Sequence, residues 1–280
     1  MSYSIDPKLT RLIQQRFPAE QSAGSFLPLS GLTGLTTKIE LAHTTLLARY
    51  QPQKKSLPGV DRQREYRILR QLRQTDLAPA VRGYADSWLL LDWLPGEALS
   101  EEGFPAALES VAGELAKLHR QPPSGYPLQL QKLLERYWQL SQPSRRHCGW
   151  LRALRRLQRI GEPKPLRLAL LHMDVHPGNL IRQENKLRLI DWEYASDGDI
   201  ALELAALVAG NALEPTQQSA LIEHYAALQR LDATCLRRQM ARWQPWLTLL
   251  AASWYELRWQ QSGNEAFYTL AAQAWQRVRS

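Results

Sequence analysis

The first part of the chain alternates short apolar runs with turn signals, a pattern that favours β-strands with one intervening helix. Residues 29–41 lead from a glycine-containing turn into a β-prone stretch, and residues 45–49 form a second short apolar run. Apolar positions within residues 62–72 recur at helical spacing, which predicts a helix. Residues 87–94 are apolar almost throughout, and the Pro-Gly pair at 95–96 predicts a turn that stops this buried strand.

Beyond that turn the apolar positions mostly follow a helical period. The predicted helices lie near residues 105–120, 128–140, 149–160, 199–210, 216–228, 233–260 and 264–278. Residues 170–194 depart from this pattern and are predicted to form a loop, a hairpin and a second loop. The sequence therefore predicts an α+β fold, with a small β-rich lobe at residues 1–94 and a larger, mostly helical lobe at residues 95–280.

The hairpin carries the strongest chemical signal in the chain. Its two short apolar strands flank a polar turn centred near Asn185, and Asn179 and Asp191 are equally distant from that centre. In a regular hairpin both residues lie at the open end, where their oxygen atoms suit Mg²⁺ better than zinc. Asp174 enters the same end and supplies a carboxylate that can orient and deprotonate an attacking hydroxyl. This combination predicts phosphoryl transfer.

Two histidines near the hairpin are interpreted as structural. We expect His172 to hydrogen-bond the loop as a scaffold rather than to act as an acid or base. His176 precedes a Pro-Gly pair and is also expected to be structural. Because a single Asp or Asn in a loop is usually a turn residue, the chemical prediction depends on the whole set at these spacings.

Composition and charge limit the class of protein. The chain has 280 residues, 44% of them hydrophobic, and a net charge of +8. Its length predicts about two lobes with a packed core. The positive charge indicates an anionic ligand, which could be nucleotide phosphate, nucleic acid or a membrane surface. We interpret the basic residues around 145–159 as a solvated face.

The sequence gives no sign of export or membrane insertion. No apolar run reaches the ~18 residues that would span a membrane, and the first residues lack the pattern of a secretory signal. The two cysteines, Cys148 and Cys235, have no metal-type spacing. We therefore expect a cytoplasmic protein with no membrane partner.

The motif His172-x-Asp174 with Asn179, followed by Asp191, resembles the aminoglycoside phosphotransferase and choline kinase superfamily. The resemblance implies a bilobal protein-kinase-like fold in which Asp174 is the catalytic base. It also implies that Asn179 and Asp191 are the magnesium ligands. Glu203 stands where many members have Asp, at a position expected to be structural.

The same resemblance implies that the N-terminal lobe binds ATP. The implied nucleotide-binding residues are Gly31, Gly34, Arg49, Glu65, Asp92 and Leu94. The two glycines would let backbone N–H groups approach the phosphates. Arg49 stands where a kinase-like fold has its phosphate-pairing lysine, and choline kinases also tend to have arginine there. Glu65 would be the ion-pair partner of Arg49. The backbone of residues 92–94 would bind adenine.

The flanks of the motif resemble the bacterial thiamine kinases. The stretches that carry this resemblance are 145–152, 162–168, 171–176, 190–206, 242–247 and 254–263. The resemblance covers nearly the whole chain and is weaker before Trp88. It implies ATP-dependent phosphorylation of the thiamine hydroxyl to give thiamine monophosphate.

Thiamine carries a thiazolium cation, which aromatic faces and carboxylates stabilise. The predicted substrate-binding residues are Glu193, Trp254, Glu256 and Trp259. The alternative stays open, because aromatic residues at helical spacing usually pack a core.

Three other functions stay open at this stage. A kinase for choline, an aminoglycoside or a sugar would use the same chemistry with a different pocket. A non-catalytic nucleotide-binding module is disfavoured because Asp174, Asn179 and Asp191 are all present. A nucleic-acid-binding protein would be expected to carry a recognisable nucleic-acid-binding motif, and none is found. The expected ligands are ATP, Mg²⁺ and thiamine, and a monomer is favoured.

Overall fold

The computed structural model describes residues 6–18, 25–29, 35–51, 58–184 and 186–279. Contacts divide the chain into two compact units. The first consists of Met1–Leu118 and His172–Ala195, and the second of His119–Leu171 and Ser196–Ser280. The segment with the candidate chemistry thus belongs to the same unit as the N-terminal sheet. The lobe boundary after residue 94 stays a prediction, since these units are defined by contacts and divide the chain elsewhere.

The described elements follow one another as α1 (Pro7–Arg16), β1 (Ser25–Leu29), β2 (Leu35–Glu40), β3 (Thr45–Tyr50), α2 (Arg62–Gln71), β4 (Val81–Ala85), β5 (Trp88–Asp92), β6 (Glu97–Ala98), α3 (Leu108–Leu118), α4 (Leu130–Leu140), α5 (Cys148–Ile160), β7 (Leu168–Leu171), β8 (Leu180–Gln183), β9 (Lys186–Leu189), β10 (Ser196–Asp199), α6 (Ile200–Gly210), α7 (Pro215–Gln229), α8 (Ala233–Ser262) and α9 (Glu265–Arg279). The fold is mixed α/β, with a β-sheet N-terminal region and a mostly helical C-terminal region, as predicted.

The first unit contains a five-stranded antiparallel sheet in the order β1-β2-β3-β5-β4. One face of this sheet packs on α1, and the core there includes Leu12, Ile39, Leu46 and Ala48. Because side chains alternate along a strand, Arg49 points from the opposite face of β3. The pattern that buries the sheet against α1 therefore also fixes the side on which Arg49 lies.

A smaller sheet in the order β6-β8-β9 carries the predicted hairpin. The turn predicted at residues 95–96 precedes β6, and Gly96 has a φ of +127°. A Cβ at this position would lie 2.3 Å from the carbonyl oxygen of Arg182 on β8. Only glycine allows the chain to approach β8 so closely.

The second unit is mostly helical, and the predicted helices lie within a few residues of their expected bounds. Its paired strands β7 and β10 were not predicted, and neither were α1, β1, β4 and β6 in the first unit. Trp150, Trp246 and Tyr225 are almost completely buried in its core. The arginines of α5 that follow Trp150 are exposed, which agrees with a solvated basic face. None of the helices that the structure describes has the length and apolar character required to span a membrane.

Candidate active site

His172 connects the loop that carries Asp174 to the end of the hairpin. Its side chain is fully buried. Nδ1 accepts a hydrogen bond from the backbone N–H of Asp174 at 3.3 Å, so the proton resides on Nε2, which donates to the Ile190 carbonyl at 2.9 Å. Both ring nitrogens are therefore engaged with backbone groups, an arrangement that suits a scaffold.

The Asp174 carboxylate is held by Asn179. The Asn179 Nδ2 donates to Asp174 Oδ2 and to the Asp174 carbonyl oxygen, each at 3.0 Å. Met173, directly before Asp174, has a φ of 66°, a left-handed conformation that is rare for such a side chain. Conformations of this kind persist where the surroundings fix them, often at functional sites.

The Asp174 carboxyl is partly exposed and has a raised pKa. Burial raises the pKa of its carboxyl to about 6; the charge of Asp191 acts in the same direction, while the amide of Asn179 and the charge of Arg49 oppose it. The side chain nevertheless retains 36% exposure. Its carboxylate is therefore both accessible to a reactant and a better proton acceptor than an ordinary aspartate.

The open end of the hairpin brings Asn179 and Asp191 together, as the predicted register requires. Leu180 pairs with Leu189, and the Ile190 N–H donates to the Asn179 carbonyl at 3.0 Å. Because Nδ2 of Asn179 is directed to Asp174, its Oδ1 is the side-chain atom that can ligate a cation. Asp191 is in the left-handed region, with a φ of 64°.

The donors at this end of the hairpin suit a Mg²⁺ ion that is shared with a nucleotide, rather than an ion held by protein ligands alone. They are a carboxylate and an amide oxygen, which are hard ligands. Within the residues that the structure describes, no group of three or more His, Cys, Asp and Glu could hold a metal ion. Mg²⁺ is commonly bound by one or two protein oxygens together with substrate phosphates, so the small donor set suits a nucleotide-bound ion.

His176 has the structural role that was predicted for it. Its Nδ1 accepts from the Gly178 N–H at 3.2 Å and so caps the short turn before β8. The ring also reaches within 3.9 Å of Asp174 Oδ2. Burial lowers the pKa of this histidine.

Arg49 lies at the centre of a buried charge cluster. Its guanidinium donates to Glu65 at 2.8 Å and to Glu193 at 2.8 Å, and it also contacts the Asp191 carboxylate. Burial alone lowers the pKa of Arg49, but the carboxylates of Glu65, Asp191 and Glu193 outweigh burial and the pKa stands above its ordinary value. The expected pair between Arg49 and Glu65 is thus formed.

The strand end predicted to bind adenine has one backbone donor available. The Asp92 N–H donates to Ala80 at 2.9 Å, and the Trp93 N–H donates to Thr45 at 3.0 Å. Among the described residues, the Leu94 N–H has no hydrogen-bond partner. The Asp92 carboxylate forms a bidentate pair with Arg82, with both distances 2.6 Å. Leu94 is therefore the residue of this segment whose backbone can contact a base.

The remaining predicted site residues fall in three places. Gly31 and Gly34 lie outside the described residues. Glu193 is buried in the first unit and bonds to arginines, so its direct contact with a substrate stays a prediction. Trp254 and Trp259 lie on α8 in the second unit.

Glu256, also on α8, is buried and holds a cation that belongs to the chain. Its carboxylate accepts from Arg145 Nε at 2.7 Å and from Trp275 Nε1 at 3.1 Å. The Arg145 guanidinium lies 4.7 Å from the ring centroid of Trp259 and 5.4 Å from that of Tyr268. This carboxylate and the two rings form a site of the type that stabilises cations.

Two arginines at the start of α2 join the charge cluster and were not predicted. Arg62 contacts Glu65 at 2.6 Å and Glu193 at 3.0 Å, and Arg64 donates to the Glu193 carbonyl at 2.8 Å. In the sequence they look like ordinary basic residues of a helix. The pair of Arg62 with Glu65 is local, but the contacts of both arginines with Glu193 join residues that are distant along the chain, so the sequence does not reveal the cluster.

Comparison with known proteins places the chain among phosphotransferases. The model of the phosphotransferase enzyme family matches residues 29–246. A thiamine kinase of Escherichia coli strain SMS-3-5 is 42% identical over 280 residues, which cover 99% of this chain and 98% of that protein. The chain therefore belongs to the phosphotransferase enzyme family, and it is an enzyme of the kinase class.

Solved structures of low sequence identity share the fold. Choline kinase LicA from Streptococcus pneumoniae superposes with a TM-score of 0.77 at 17% identity, covering 96% of this chain and 97% of that chain. Aminoglycoside phosphotransferase APH(4)-Ia, in a ternary complex with AMP-PNP and hygromycin B, has a TM-score of 0.67 at 15% identity, covering 95% of this chain and 96% of that chain. The chain thus has the protein-kinase-like fold that the sequence predicted.

Proposed function

We propose that this chain transfers the γ-phosphoryl group of ATP to the hydroxyl of thiamine, giving thiamine monophosphate. The observation that carries the chemistry is the hairpin end, where Asp174 is held by Asn179 and faces the same region as Asp191. The choice of thiamine is supported by the 42% identity to a thiamine kinase along nearly the whole chain.

Asp174 is the proposed general base. As the substrate hydroxyl attacks the γ-phosphorus of ATP, the bond from that phosphorus to the β,γ-bridging oxygen breaks and ADP leaves. The hydroxyl proton passes to the Asp174 carboxylate, which Asn179 holds in position through Nδ2. His172 fixes the backbone of the same residue from the other side. A carboxylate positioned in this way supplies orientation and proton acceptance, which are the protein's main contributions to phosphoryl transfer.

Asn179 and Asp191 would hold Mg²⁺, which when bound neutralises phosphate charge. Arg49 would add a fixed positive charge near the phosphates, and the Leu94 N–H would donate to adenine. The likeness to a fold that holds AMP-PNP in an aminoglycoside phosphotransferase supports ATP as the donor. The proposed phosphate contacts of Gly31 and Gly34 complete the nucleotide site.

For the thiazolium ring we propose Trp254, Glu256 and Trp259 of the second unit; a substrate contact of Glu193 stays a prediction from the sequence. The support is chemical, since the Glu256 carboxylate and the Trp259 ring already stabilise the cation of Arg145. A thiamine cation would need the same two kinds of group. Cytoplasmic location and a monomeric state stay predictions from the sequence.

The decisive experiment incubates purified protein with ATP, Mg²⁺ and one alcohol at a time, and detects the phosphorylated product by mass. Thiamine is expected to give the highest kcat/KM in a panel with choline, ethanolamine, an aminoglycoside and a sugar. If another alcohol exceeds thiamine, the substrate is wrong while the kinase chemistry stands.

The Asp174→Asn variant tests the chemistry. It is expected to lower kcat by about 10³-fold or more, because the amide cannot accept the proton, with little effect on nucleotide binding. Asp76→Asn is the matched control, since Asp76 is exposed and pairs with Lys186 on the hairpin surface. A wild-type rate in Asp174→Asn would refute the assignment of the base.

A further inference from the structure

Arg49 and Arg62 share the same two buried carboxylates. Glu65 accepts from Arg49 through Oε1 at 2.8 Å and from Arg62 through Oε2 at 2.6 Å. Glu193 Oε2 lies 2.8 Å from Arg49 and 3.0 Å from Arg62. The four side chains are at most 6% exposed. They form a closed ring of alternating charge, which we call the arginine–glutamate ring.

The charges of the ring cancel, and this balance determines how much of the positive charge of Arg49 is available to an anionic ligand. Two guanidinium groups face two carboxylates, while Asp191 contacts the ring through Arg49. Without Arg62, one buried guanidinium would face both glutamates and Asp191. The excess negative charge would hold Arg49 more strongly and would repel an approaching phosphate.

The backbone around Arg62 is held in a way that aims its side chain at the ring. Arg62 is the first residue of α2, and its N–H donates to Gln51 Oε1 at 2.8 Å. The Gln51 Nε2 in turn donates to the Val60 carbonyl at 2.9 Å. Gln51 directly follows β3, which carries Arg49. The start of α2 is thereby fixed to the strand that presents Arg49, so the guanidinium of Arg62 is pre-organised.

We propose that Arg62 is a positioning residue for nucleotide binding, which neutralises Glu65 and Glu193 so that the charge of Arg49 is available to the phosphates of ATP. At 1% exposure the Arg62 side chain acts through Arg49 rather than by touching the nucleotide. This inference deepens the proposed function and rests on its choice of ATP as donor.

Removal of the charge of Arg62 tests the inference. We expect Arg62→Met to weaken binding of Mg²⁺·AMP-PNP to the full chain by at least about tenfold in calorimetric titration, the order of effect of one unbalanced charge. The KM for ATP should rise by a similar factor, and the KM for thiamine by less than about twofold. A purely structural role would not separate the two KM values.

Two further variants test whether charge balance is the cause. Adding Glu193→Gln to Arg62→Met leaves Arg49 opposite Glu65 as a balanced pair, and should recover AMP-PNP affinity relative to Arg62→Met alone. Arg62→Lys keeps the charge but cannot bridge two carboxylates as a guanidinium does, and should weaken affinity only about threefold. If Arg62→Met does not fold, a loss of affinity of about tenfold or more in Arg62→Lys, which keeps the charge, overturns the inference.

Tyr225→Phe is the control for loss of stability alone. It removes the hydroxyl that lies 2.5 Å from the buried His119 in the second unit, and should lower stability without changing the KM for ATP. Wild-type affinity in Arg62→Met, or no recovery in the double variant, overturns the role of Arg62 and leaves the proposed function intact. If Arg62→Met weakens AMP-PNP binding but the wild type does not phosphorylate thiamine, the role of Arg62 stands and the proposed substrate is wrong. Absence of AMP-PNP binding in the wild type overturns both.

Discussion

At the residue scale, single side chains in this protein obtain their chemical character from a few hydrogen bonds. Glu256 is 1% exposed, and burial alone would raise the pKa of its carboxyl. Hydrogen bonds from Arg145, Trp275 and Gln260 outweigh burial, so this pKa is lowered from its ordinary value. Asp174 is the contrasting case, because its single amide donor does not offset burial and its pKa rises to about 6.

The ion pair of Glu256 predicts a pH-dependent stability. A carboxyl with a lowered folded pKa stabilises the fold above its unfolded value, near 4.5, and this stabilisation is lost as the pH falls through the folded pKa. Glu256→Gln should lower the free energy of unfolding at pH 7 by about 1–3 kcal/mol. The difference from wild type should shrink below pH 4.5, as measured by urea denaturation across this range.

Glu223→Gln is the control for this prediction. Glu223 is 66% exposed and pairs with Arg237 on the surface, so its removal should change stability by less than about 0.5 kcal/mol at either pH. A difference between Glu256→Gln and wild type that stays constant from pH 7 to pH 4 would contradict the role of the charge.

At the element scale, the hairpin of β8 and β9 is the unit that brings the proposed metal ligands together. The register of the hairpin places Asn179 and Asp191 at its open end. Strand β6 pairs with the edge of β8 that faces away from β9. The approach of β6 depends on Gly96, whose φ of +127° and closeness to Arg182 exclude a side chain. A local property of one residue thus supports the strand on which the site is built.

We therefore expect Gly96→Ala to lower the free energy of unfolding by about 2 kcal/mol or more, through backbone strain and a steric clash. Denaturation monitored by tryptophan fluorescence measures this change. Gly161→Ala is the matched control, since Gly161 also has a positive φ, of +74°, but a Cβ there would meet nothing within 4 Å. An equal loss in both variants would show that strain alone acts and that the contact with β8 does not.

At the scale of the whole molecule, the first compact unit combines two segments that are separated by more than fifty residues of the second unit. Met1–Leu118 and His172–Ala195 form this unit, so Arg49, Glu65 and Asp191 belong to one folded body. A nucleotide that contacts these groups would bind the folded chain but not the unfolded one, and should stabilise the fold by mass action.

Mg²⁺·ATP at about 100 times its Kd should add about 2.7 kcal/mol, which corresponds to a rise in Tm of about 5 °C or more for a chain of this size. Differential scanning fluorimetry measures the shift with and without Mg²⁺. In Asp191→Asn the Mg²⁺-dependent part should be lost, whereas Asp76→Asn should retain it. An equal shift in Asp191→Asn and wild type would remove Asp191 from the proposed metal site.

The local geometry of the hairpin was predictable from the sequence alone. The spacing of Asp174, Asn179 and Asp191 around one polar turn predicted their arrangement, because a hairpin has a fixed register and its geometry depends on near neighbours. The helices of the second unit were predictable for the same reason, since their apolar period is a local signal. Strand β10, with the sequence Ser-Asp-Gly-Asp, was not, because it has little β-propensity and is a strand through its pairing with β7.

Apart from the expected pair of Arg49 and Glu65, only the tertiary structure decided which partners the charged residues have. Arg49 and Glu193 are 144 positions apart, and Arg145 and Glu256 are 111 positions apart. No periodicity links residues at such separations, since their contact depends on how every intervening element packs. The sequence by itself thus determined the hairpin and which side chains stand at its open end. The fold determined the buried ring of Arg49, Glu65, Arg62 and Glu193, because burial of a charge is stable only where distant partners meet it.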